Sequence, residues 1–512
     1  MTNHLLYIDP GSGSLLFQML VAGILGALFF FRNILQKIKL FSGAVSGTLA
    51  SAFLTRGIHP FLIILFYVLL ELRNVLVLCS LFKVLLYTCI VLAAVLLAYM
   101  LIARITKSKV RSALTVSAIA LVLLFYEPMY ECLLSFSVLQ FIPRMGYLII
   151  FVFLLVLSMV WFTKKDLTVF NSYLNILFLV LFLYEGGTAS WNYFNALSHT
   201  ELMEDEHDRS IAGTRAETPV IYHILLDAYT GSSSLKKFWG FDNSELENFL
   251  RGSGFYVADK ANSNSTATQQ SMATTFNMRY LANIDSLVNN DALSTGLYRK
   301  LIDHSDLMLE LSAANYSIIN LSIFDIGGTV KFHRSGPLAD ETSLFQVLTE
   351  DTRFGAYIKK PPYADLRTSL AVFDSLKKIP TSIGVGKTFV YAHINMPHDA
   401  YCDRNGEPFG RNFAGDEKKK YIETIMFTNK LLIETVKKIL ADSKTPPVII
   451  IHGDHGSRMF DREEKYSILS AYYFQDRDYS LLYDSISPVN TYRVINRKYF
   501  KSTIKLLPDK KL

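Results

Sequence analysis

The sequence has 512 residues, of which 51% are hydrophobic and 19% charged; this balance excludes both a disordered chain and a highly charged soluble one. The net charge of +6 is unevenly placed, because residues 1–190 hold 13 Lys and Arg against 6 Asp and Glu while the remainder is nearly neutral. The positive charge therefore lies between apolar segments and does not indicate a nucleic-acid-binding surface.

Six apolar segments are long enough, or nearly so, to cross a membrane as helices. The first has no basic stretch before it and no small-residue cleavage site after it, so we expect a retained span and not a signal peptide. Glu71 and Arg73 in the second are expected to face other helices, because charge is costly in lipid. The predicted spans are Ser14 to Phe31, Pro60 to Ser80, Val84 to Ala103, Ala113 to Tyr126, Gly146 to Phe162 and Phe170 to Leu183.

Basic residues are concentrated in the loops after the first, third and fifth spans, whereas the opposite loops hold only Lys83 and Arg144. Basic loops stay in the cytoplasm, so the N-terminus is predicted to be outside. With six spans, everything after about residue 190 is outside as well. The loop residues that carry this prediction are Arg32, Lys37, Lys39, Arg56, Arg104, Lys107, Lys109, Arg111, Lys164 and Lys165.

The chain is predicted to consist of a transmembrane domain (1–190), a membrane-surface linker (191–218) and an extracytoplasmic α/β domain (219–512) with a mostly parallel central sheet. Within the linker, residues 191–202 are the expected contact with the leaflet. The predicted strands are Val220–Leu226, Tyr316–Ser322, Thr388–Ile394, Pro447–His452 and Ile468–Phe474, and the predicted helices are Leu246–Ser253, Thr268–Asn283 and Lys430–Asp442.

Carboxylates and imidazoles follow or end three of these strands. Asp227 follows the first, His393 and His398 lie at the end of the third, and Asp454 and His455 follow the fourth. Ligands bind beyond the carboxyl ends of strands in open α/β sheets, and such side chains together can surround a divalent cation. Each alone could be an ordinary turn or cap residue. No two of the four cysteines have zinc-ligand spacing.

A run of hydroxyl residues, Ser263-Asn264-Ser265-Thr266-Ala267-Thr268, precedes the second predicted helix. A hydroxyl at a helix N-terminus, beside a metal ion, can ionise and attack phosphorus while backbone N–H groups hold the phosphate oxygens. The alternative is a Thr that only caps the helix.

Together these motifs resemble the alkaline phosphatase/sulfatase superfamily. The likeness covers about Pro219 to Phe500 and is greatest to its membrane-bound branch, the lipoteichoic acid synthases and lipid A phosphoethanolamine transferases. The segments Tyr7-Ile8-Asp9-Pro10-Gly11-Ser12-Gly13-Ser14 and Pro488-Val489-Asn490-Thr491-Tyr492-Arg493 look like a subgroup of sulfatase-like membrane proteins.

The resemblance implies a role for each matching residue. Thr268 stands where these enzymes have a threonine nucleophile, with Thr266 as the rival, and it would also contact the metal. Arg458 could add positive charge at the substrate, or be a surface residue without a role. Asp227, Asp454 and His455 would bind the metal. His398 would bind the substrate or protonate the leaving oxygen, and His393 is a weaker candidate for the same role.

Two departures from the superfamily pattern limit the number of metal ions and the type of reaction that we expect. No histidine follows His455 in the sequence, whereas two-zinc enzymes need a further histidine there, so we expect a single divalent ion. Manganese or zinc is the best match to a mixed Asp/His site. The segment Thr268-Gln269-Gln270-Ser271-Met272 also lacks the formylglycine motif, which argues against sulfate-ester hydrolysis.

The resemblance implies transfer of phosphoglycerol or phosphoethanolamine from a membrane phospholipid to a surface glycan or lipid. It further implies a location in a bacterial plasma membrane, with no nucleic-acid partner. Two alternatives stay open: an extracytoplasmic phosphate-ester hydrolase, and an inactive membrane scaffold for surface-polysaccharide assembly.

Overall fold

The computed structural model describes residues 56–73, 81–126, 146–204, 219–281, 291–329, 364–384, 387–398, 400–409, 416–460 and 462–512, with isolated residues between these ranges. They form two compact units. The first comprises the described parts of Met1–Ser198 and Gly336–Lys359, and the second those of His199–Ser335 and Lys360–Leu512. The predicted boundaries at 190 and 218 stay predictions, since residues 205–218 lie outside the described ranges.

The first unit is helical. Its core is formed around the first helix, where Ile63, Phe66 and Leu72 are at most 1% exposed. Pro60 lies in the first turn of that helix, where its missing N–H costs no hydrogen bond. The helices are α1 (His59–Leu72), α2 (Leu81–Thr106), α3 (Lys109–Leu124), α4 (Gly146–Phe162) and α5 (Thr168–Glu204), which belongs to this unit up to Ser198.

Two helices of the described chain, Leu81–Thr106 and residues 168–194 of α5, are long and apolar enough to cross a membrane. His59–Leu72 and Tyr147–Phe162 are apolar but shorter. The six-span bundle is therefore not confirmed. The helix at the second predicted span, Pro60 to Ser80, ends at Leu72, and the first predicted span, Ser14 to Phe31, lies outside the described residues.

Polar side chains in this unit contact one another between helices. Arg73 lies 3.3 Å from Glu185, whose side chain is fully buried, which agrees with the expectation that Arg73 faces another helix. Helix α5 continues to Glu204, so the first part of the predicted linker is helical. Trp191 on this helix is 75% exposed, and its expected contact with the leaflet stays a prediction.

The second unit is built on a six-stranded sheet with the order β2-β6-β5-β1-β4-β3. Strands β3, β4, β1 and β5 run parallel, whereas β6 and β2 are antiparallel to their neighbours. The sheet is thus mixed, and the predicted mostly parallel arrangement holds only for its four-stranded part. The strands are β1 (Ile221–Leu226), β2 (Tyr256–Val257), β3 (Ser317–Leu321), β4 (Thr388–Ile394), β5 (Val448–Gly453) and β6 (Ser470–Tyr473).

Helices cover this sheet, and the apolar side chains between the layers form its core. Each fully buried Leu, Ile or Phe there contributes about 1.5–3 kcal/mol of transfer free energy. The longest helix described in this unit, Glu417–Asp442, begins where Asp416 accepts a hydrogen bond from the Lys418 amide at 2.9 Å, well before the predicted start at Lys430. The helices are α6 (Ser244–Gly252), α7 (Thr268–Phe276), α8 (Asp291–Asp303), α9 (Asp306–Ala313), α10 (Ala364–Ser382), α11 (Glu417–Asp442), α12 (Arg462–Tyr466) and α13 (Thr491–Tyr499).

Candidate metal centre

Three acidic and imidazole side chains meet at the carboxyl edge of the sheet. Asp227 follows β1, and Asp454 and His455 follow β5, which pairs with β1 so that Leu226 lies opposite Gly453. Because neighbouring parallel strands end at the same edge, the three residues come together. One ligand atom from each lies within 4.8 Å of the others, and all three residues are buried. The structure therefore joins the three predicted ligands in one group.

Asp227 is held through one of its two carboxylate oxygens. His393, on the adjacent strand β4, donates from Nε2 to Asp227 Oδ2 at 3.3 Å, while Oδ1 is buried without a hydrogen-bond partner. Burial by itself would raise the pKa of this carboxyl. The His393 hydrogen bond and the nearby imidazoles of His393, His455 and His398 outweigh it and lower the pKa to about 2. Asp227 is thus an anion with one oxygen directed at the group.

Asp454 repeats this arrangement. Its Oδ1 accepts the backbone N–H groups of Ala228 and His455, both at 2.9 Å, whereas Oδ2 is buried without a hydrogen-bond partner. Ala228 adopts a left-handed φ of 57°, which turns the chain after β1. The Ser271 hydroxyl of α7 donates to the Asp454 carbonyl at 2.9 Å and so ties that helix to the group.

His455 has one ring nitrogen directed at the two carboxylates. Its Nδ1 donates to the Gly456 carbonyl at 2.7 Å, which leaves the lone pair on Nε2. That Nε2 lies 3.4 Å from Asp454 Oδ2 and 3.7 Å from Asp227 Oδ1. Two carboxylate oxygens without hydrogen bonds and an imidazole nitrogen form a donor set that suits manganese or zinc. The residues present therefore fit the expected ion.

Thr268 is the first residue of α7, and its hydroxyl oxygen lies 3.3 Å from His455 Nε2. The first-turn N–H groups of a helix have no partners within it, so they can bind an anion near this hydroxyl. Thr266 lies two residues earlier, before the start of α7, and is half-buried. The choice of Thr268 over Thr266 as the nucleophile stays a prediction.

The other predicted site residues lie on different sides of this group. The His398 ring centroid is 6.0 Å from that of His455, which places His398 beside the group. His393 has a fully buried side chain and contacts Asp227, and its predicted role at the substrate stays a prediction. Arg458 is exposed, and its Nη2 lies 2.6 Å from His455 Nε2.

A buried glutamate that no sequence motif indicates anchors the loop after β5. Glu464 Oε1 accepts from the Ser457 amide at 3.0 Å, the Ser457 hydroxyl at 2.5 Å and the Thr230 hydroxyl at 2.8 Å. Trp239 Nε1 also donates to it, at 3.4 Å. This carboxylate therefore joins the segments after β1 and β5, which carry the three ligands. Its motif, Arg462-Glu463-Glu464-Lys465, looks like an exposed turn, so only tertiary packing identifies it.

Two glycines of the segment Gly453-Asp454-His455-Gly456 are required by close backbone approaches. A Cβ at Gly453 would lie 2.5 Å from the Tyr229 carbonyl oxygen, and one at Gly456 would lie 2.0 Å from the Glu464 carbonyl oxygen. No real Cβ is found that close to a backbone atom, so larger residues would displace the ligand loop.

No family model matches the sequence, and no curated protein matches it either. Solved structures do match. They include the C-terminal periplasmic domain of EptC from Escherichia coli in complex with Zn (12% identity, TM-score 0.36, covering 55% of this chain and 82% of that one). The C-terminal periplasmic domain of the phosphoethanolamine transferase EptC from Campylobacter jejuni also matches, with 11% identity and a TM-score of 0.36, covering 57% of this chain and 93% of that one. The soluble domain of the lipooligosaccharide phosphoethanolamine transferase A from Neisseria meningitidis matches with 11% identity and a TM-score of 0.35, covering 56% of this chain and 90% of that one.

These neighbours, with the sulfatases that also match, represent the alkaline phosphatase/sulfatase superfamily. The superfamily membership that the sequence motifs suggest stays an expectation. At identities and TM-scores this low, the likeness alone assigns neither an activity, a metal nor a substrate to this chain.

Proposed function

We propose that this chain transfers a phosphoryl-linked head group, phosphoglycerol or phosphoethanolamine, from a membrane phospholipid to a surface glycan or lipid. The observation that carries this proposal is the position of the Thr268 hydroxyl, 3.3 Å from His455 Nε2 at the N-terminus of α7. A nucleophile at a helix N-terminus and a set of metal ligands around one point are what phosphoryl transfer through a covalent intermediate needs.

Asp227, Asp454 and His455 would hold one divalent ion, with Thr268 beside it. When bound, that ion lowers the pKa of a neighbouring hydroxyl and offsets negative charge on phosphate. The protein supplies the orientation: His393 fixes Asp227, the Ala228 and His455 amides fix Asp454, and the Gly456 carbonyl fixes the tautomer of His455.

In the first step the Thr268 oxygen forms a bond to phosphorus, and the bond from phosphorus to the diacylglycerol oxygen breaks. The hydroxyl proton of Thr268 ends on the released diacylglycerol, and we assign its transfer to His398, beside the group. First-turn N–H groups of α7 and the guanidinium of Arg458 hold the phosphate oxygens.

In the second step the hydroxyl oxygen of the acceptor forms a bond to phosphorus and the Thr268 oxygen leaves. The acceptor proton returns to Thr268 by the same histidine, so the enzyme is regenerated without change in oxidation state. Water in place of the acceptor would give hydrolysis by the same two steps.

The membrane location is also part of the proposal. Two helices of the described chain are long and apolar enough to span a bilayer, and large side chains of α2 such as Phe82 (74%) and Ile105 (67%) are exposed. A membrane-anchored enzyme meets a lipid donor in the plane of the leaflet. We propose that the second unit lies on the extracytoplasmic side of a bacterial plasma membrane.

Release of diacylglycerol by the full-length protein tests this function. The protein would be reconstituted with phosphatidylglycerol or phosphatidylethanolamine and supplied with manganese or zinc. We expect metal-dependent release that is lost in Thr268→Ala and kept in the matched control Thr266→Ala. Release that continues without any acceptor would indicate the hydrolase. Absence of both release and metal binding would indicate the scaffold and contradict the proposal.

A further inference from the structure

The guanidinium of Arg458 contacts the ring nitrogen of His455 that faces the other two metal ligands. Its Nη2 lies 2.6 Å from His455 Nε2, the nitrogen that faces Asp227 and Asp454. Since a guanidinium N–H can only donate, this contact uses the lone pair of Nε2, while His455 Nδ1 donates to the Gly456 carbonyl. The contact is therefore a charge-assisted hydrogen bond to the single lone pair that would coordinate an ion.

The backbone holds Arg458 in this position. Its φ of 63° lies in the left-handed region, which is uncommon for a residue with a Cβ and persists where the surroundings fix it. The fixing contacts are next to it, because the Ser457 amide donates to both the Thr230 hydroxyl and the Glu464 carboxylate at 3.0 Å. The side chain itself is exposed and can leave His455 without crossing packed protein.

We infer that Arg458 competes with the divalent ion for His455 and is released to bind the substrate phosphate when the ion binds. One lone pair cannot serve both a guanidinium N–H and a metal ion, and two cations repel at this separation. A planar guanidinium freed from His455 is well suited to phosphate oxygens. Metal binding and phosphate binding are then coupled through one side chain. This inference rests on the metal site of the proposed function.

The competition predicts that removing the guanidinium strengthens metal binding. Loss of a hydrogen bond that involves a charged group corresponds to a change of about tenfold or more in an equilibrium constant. Arg458→Gln keeps the Cβ, so it leaves the backbone cost of the left-handed φ unchanged. We expect this variant to bind Mn²⁺ about tenfold more tightly than the unmodified protein, and Arg458→Lys to lie between the two.

The effect of phosphate on Mn²⁺ affinity gives a second test, because coupling between two binding sites is reciprocal. If phosphate captures Arg458, inorganic phosphate must tighten Mn²⁺ binding in the unmodified protein by more than it does in Arg458→Gln. The direct attraction between phosphate and metal is present in both proteins, so the difference between them isolates the arginine. A side chain with a merely structural role would not change this coupling.

Isothermal titration of the full-length, detergent-solubilised protein with Mn²⁺, with and without inorganic phosphate, tests the inference. The matched control is Arg477→Gln, since Arg477 also has a left-handed φ, of 57°, but lies over the Tyr473 ring. We expect no change in the Mn²⁺ affinity of this control. Asp454→Asn should abolish binding and so verify which site is measured.

Different Mn²⁺-binding results would contradict the competition by Arg458 and the metal site of the proposed function. Equal Mn²⁺ affinities for the unmodified protein and Arg458→Gln, or weaker binding by the variant, would overturn the competition while leaving the metal site intact. No Mn²⁺ or Zn²⁺ binding by the unmodified protein would instead overturn the metal site of the proposed function. If Arg458→Gln does not fold, the affinity of Arg458→Lys and the phosphate effect in the unmodified protein decide the question.

Discussion

Replacing Glu464 by Gln tests whether a buried carboxylate positions the metal ligands. The side chain is fully buried, and its Oε1 accepts from the Ser457 amide and hydroxyl and the Thr230 hydroxyl at 2.5–3.0 Å. Hydrogen bonds to a charged acceptor are about twice as strong as neutral ones, so loss of the charge weakens three bonds by about 0.5–1.5 kcal/mol each. Because neighbouring bonds are not additive, we expect a total loss of about 2–3 kcal/mol.

Glu463 provides a matched control one residue away. It forms an ion pair with Lys237 at 2.7 Å, but both side chains are about 60% exposed, and exposed pairs contribute about 0–1 kcal/mol. Thermal unfolding of the full-length protein in detergent should therefore separate Glu464→Gln from Glu463→Gln. Metal affinity should fall about tenfold in Glu464→Gln alone, because the anchored loop carries Asp454 and His455. Equal stability and equal metal affinity of the two variants would refute this reasoning.

Three further predictions concern other parts of the second unit. Burial raises the pKa of Glu310 to about 7 despite its hydrogen bond from Asn496. The folded state therefore binds more protons than the unfolded one between about pH 4.5 and 7, and stability should fall by about 3 kcal/mol as pH rises through that range. Melting curves of Glu310→Gln should lack this fall, and the same fall in the variant would contradict the assignment. Gly456→Ala places a Cβ 2.0 Å from the Glu464 carbonyl oxygen, so we expect a loss of about 1–3 kcal/mol together with weaker metal binding; an unchanged melting temperature would exclude that contact. His393→Ala removes the hydrogen bond to Asp227 and should weaken metal binding about 10- to 100-fold in a calorimetric titration, whereas an unchanged affinity would show that Asp227 needs no such support.

The strands of the second unit could be predicted from sequence because most are continuous buried apolar runs. Strand β4 has the predicted bounds, β1 starts one residue later than predicted, and β3, β5 and β6 differ from their predictions by one or two residues at each end. Strand β2 was missed, since two residues give no periodic signal. Helix α10 was missed too, and it has a mixed polar sequence with Pro380 near its end.

The candidate site could be predicted only where it follows the strands. Asp227, Asp454 and His455 come directly after two predicted strands, and the structure brings them together. The position of His393 behind Asp227 depends on the pairing of β1 with β4, which no local pattern contains. Glu464 lies in a polar segment, so its burial is decided by packing against Thr230, Trp239 and Ser457.

The most direct test of the account is the intact mass of the full-length protein after incubation with phospholipid and Mn²⁺ or Zn²⁺, without an acceptor. The account predicts a covalent adduct whose mass identifies the head group, located on Thr268, absent from Thr268→Ala and retained in Thr266→Ala. An adduct that persists in Thr268→Ala, or metal-loaded protein that releases diacylglycerol without forming any adduct, would contradict the phospho-threonine mechanism.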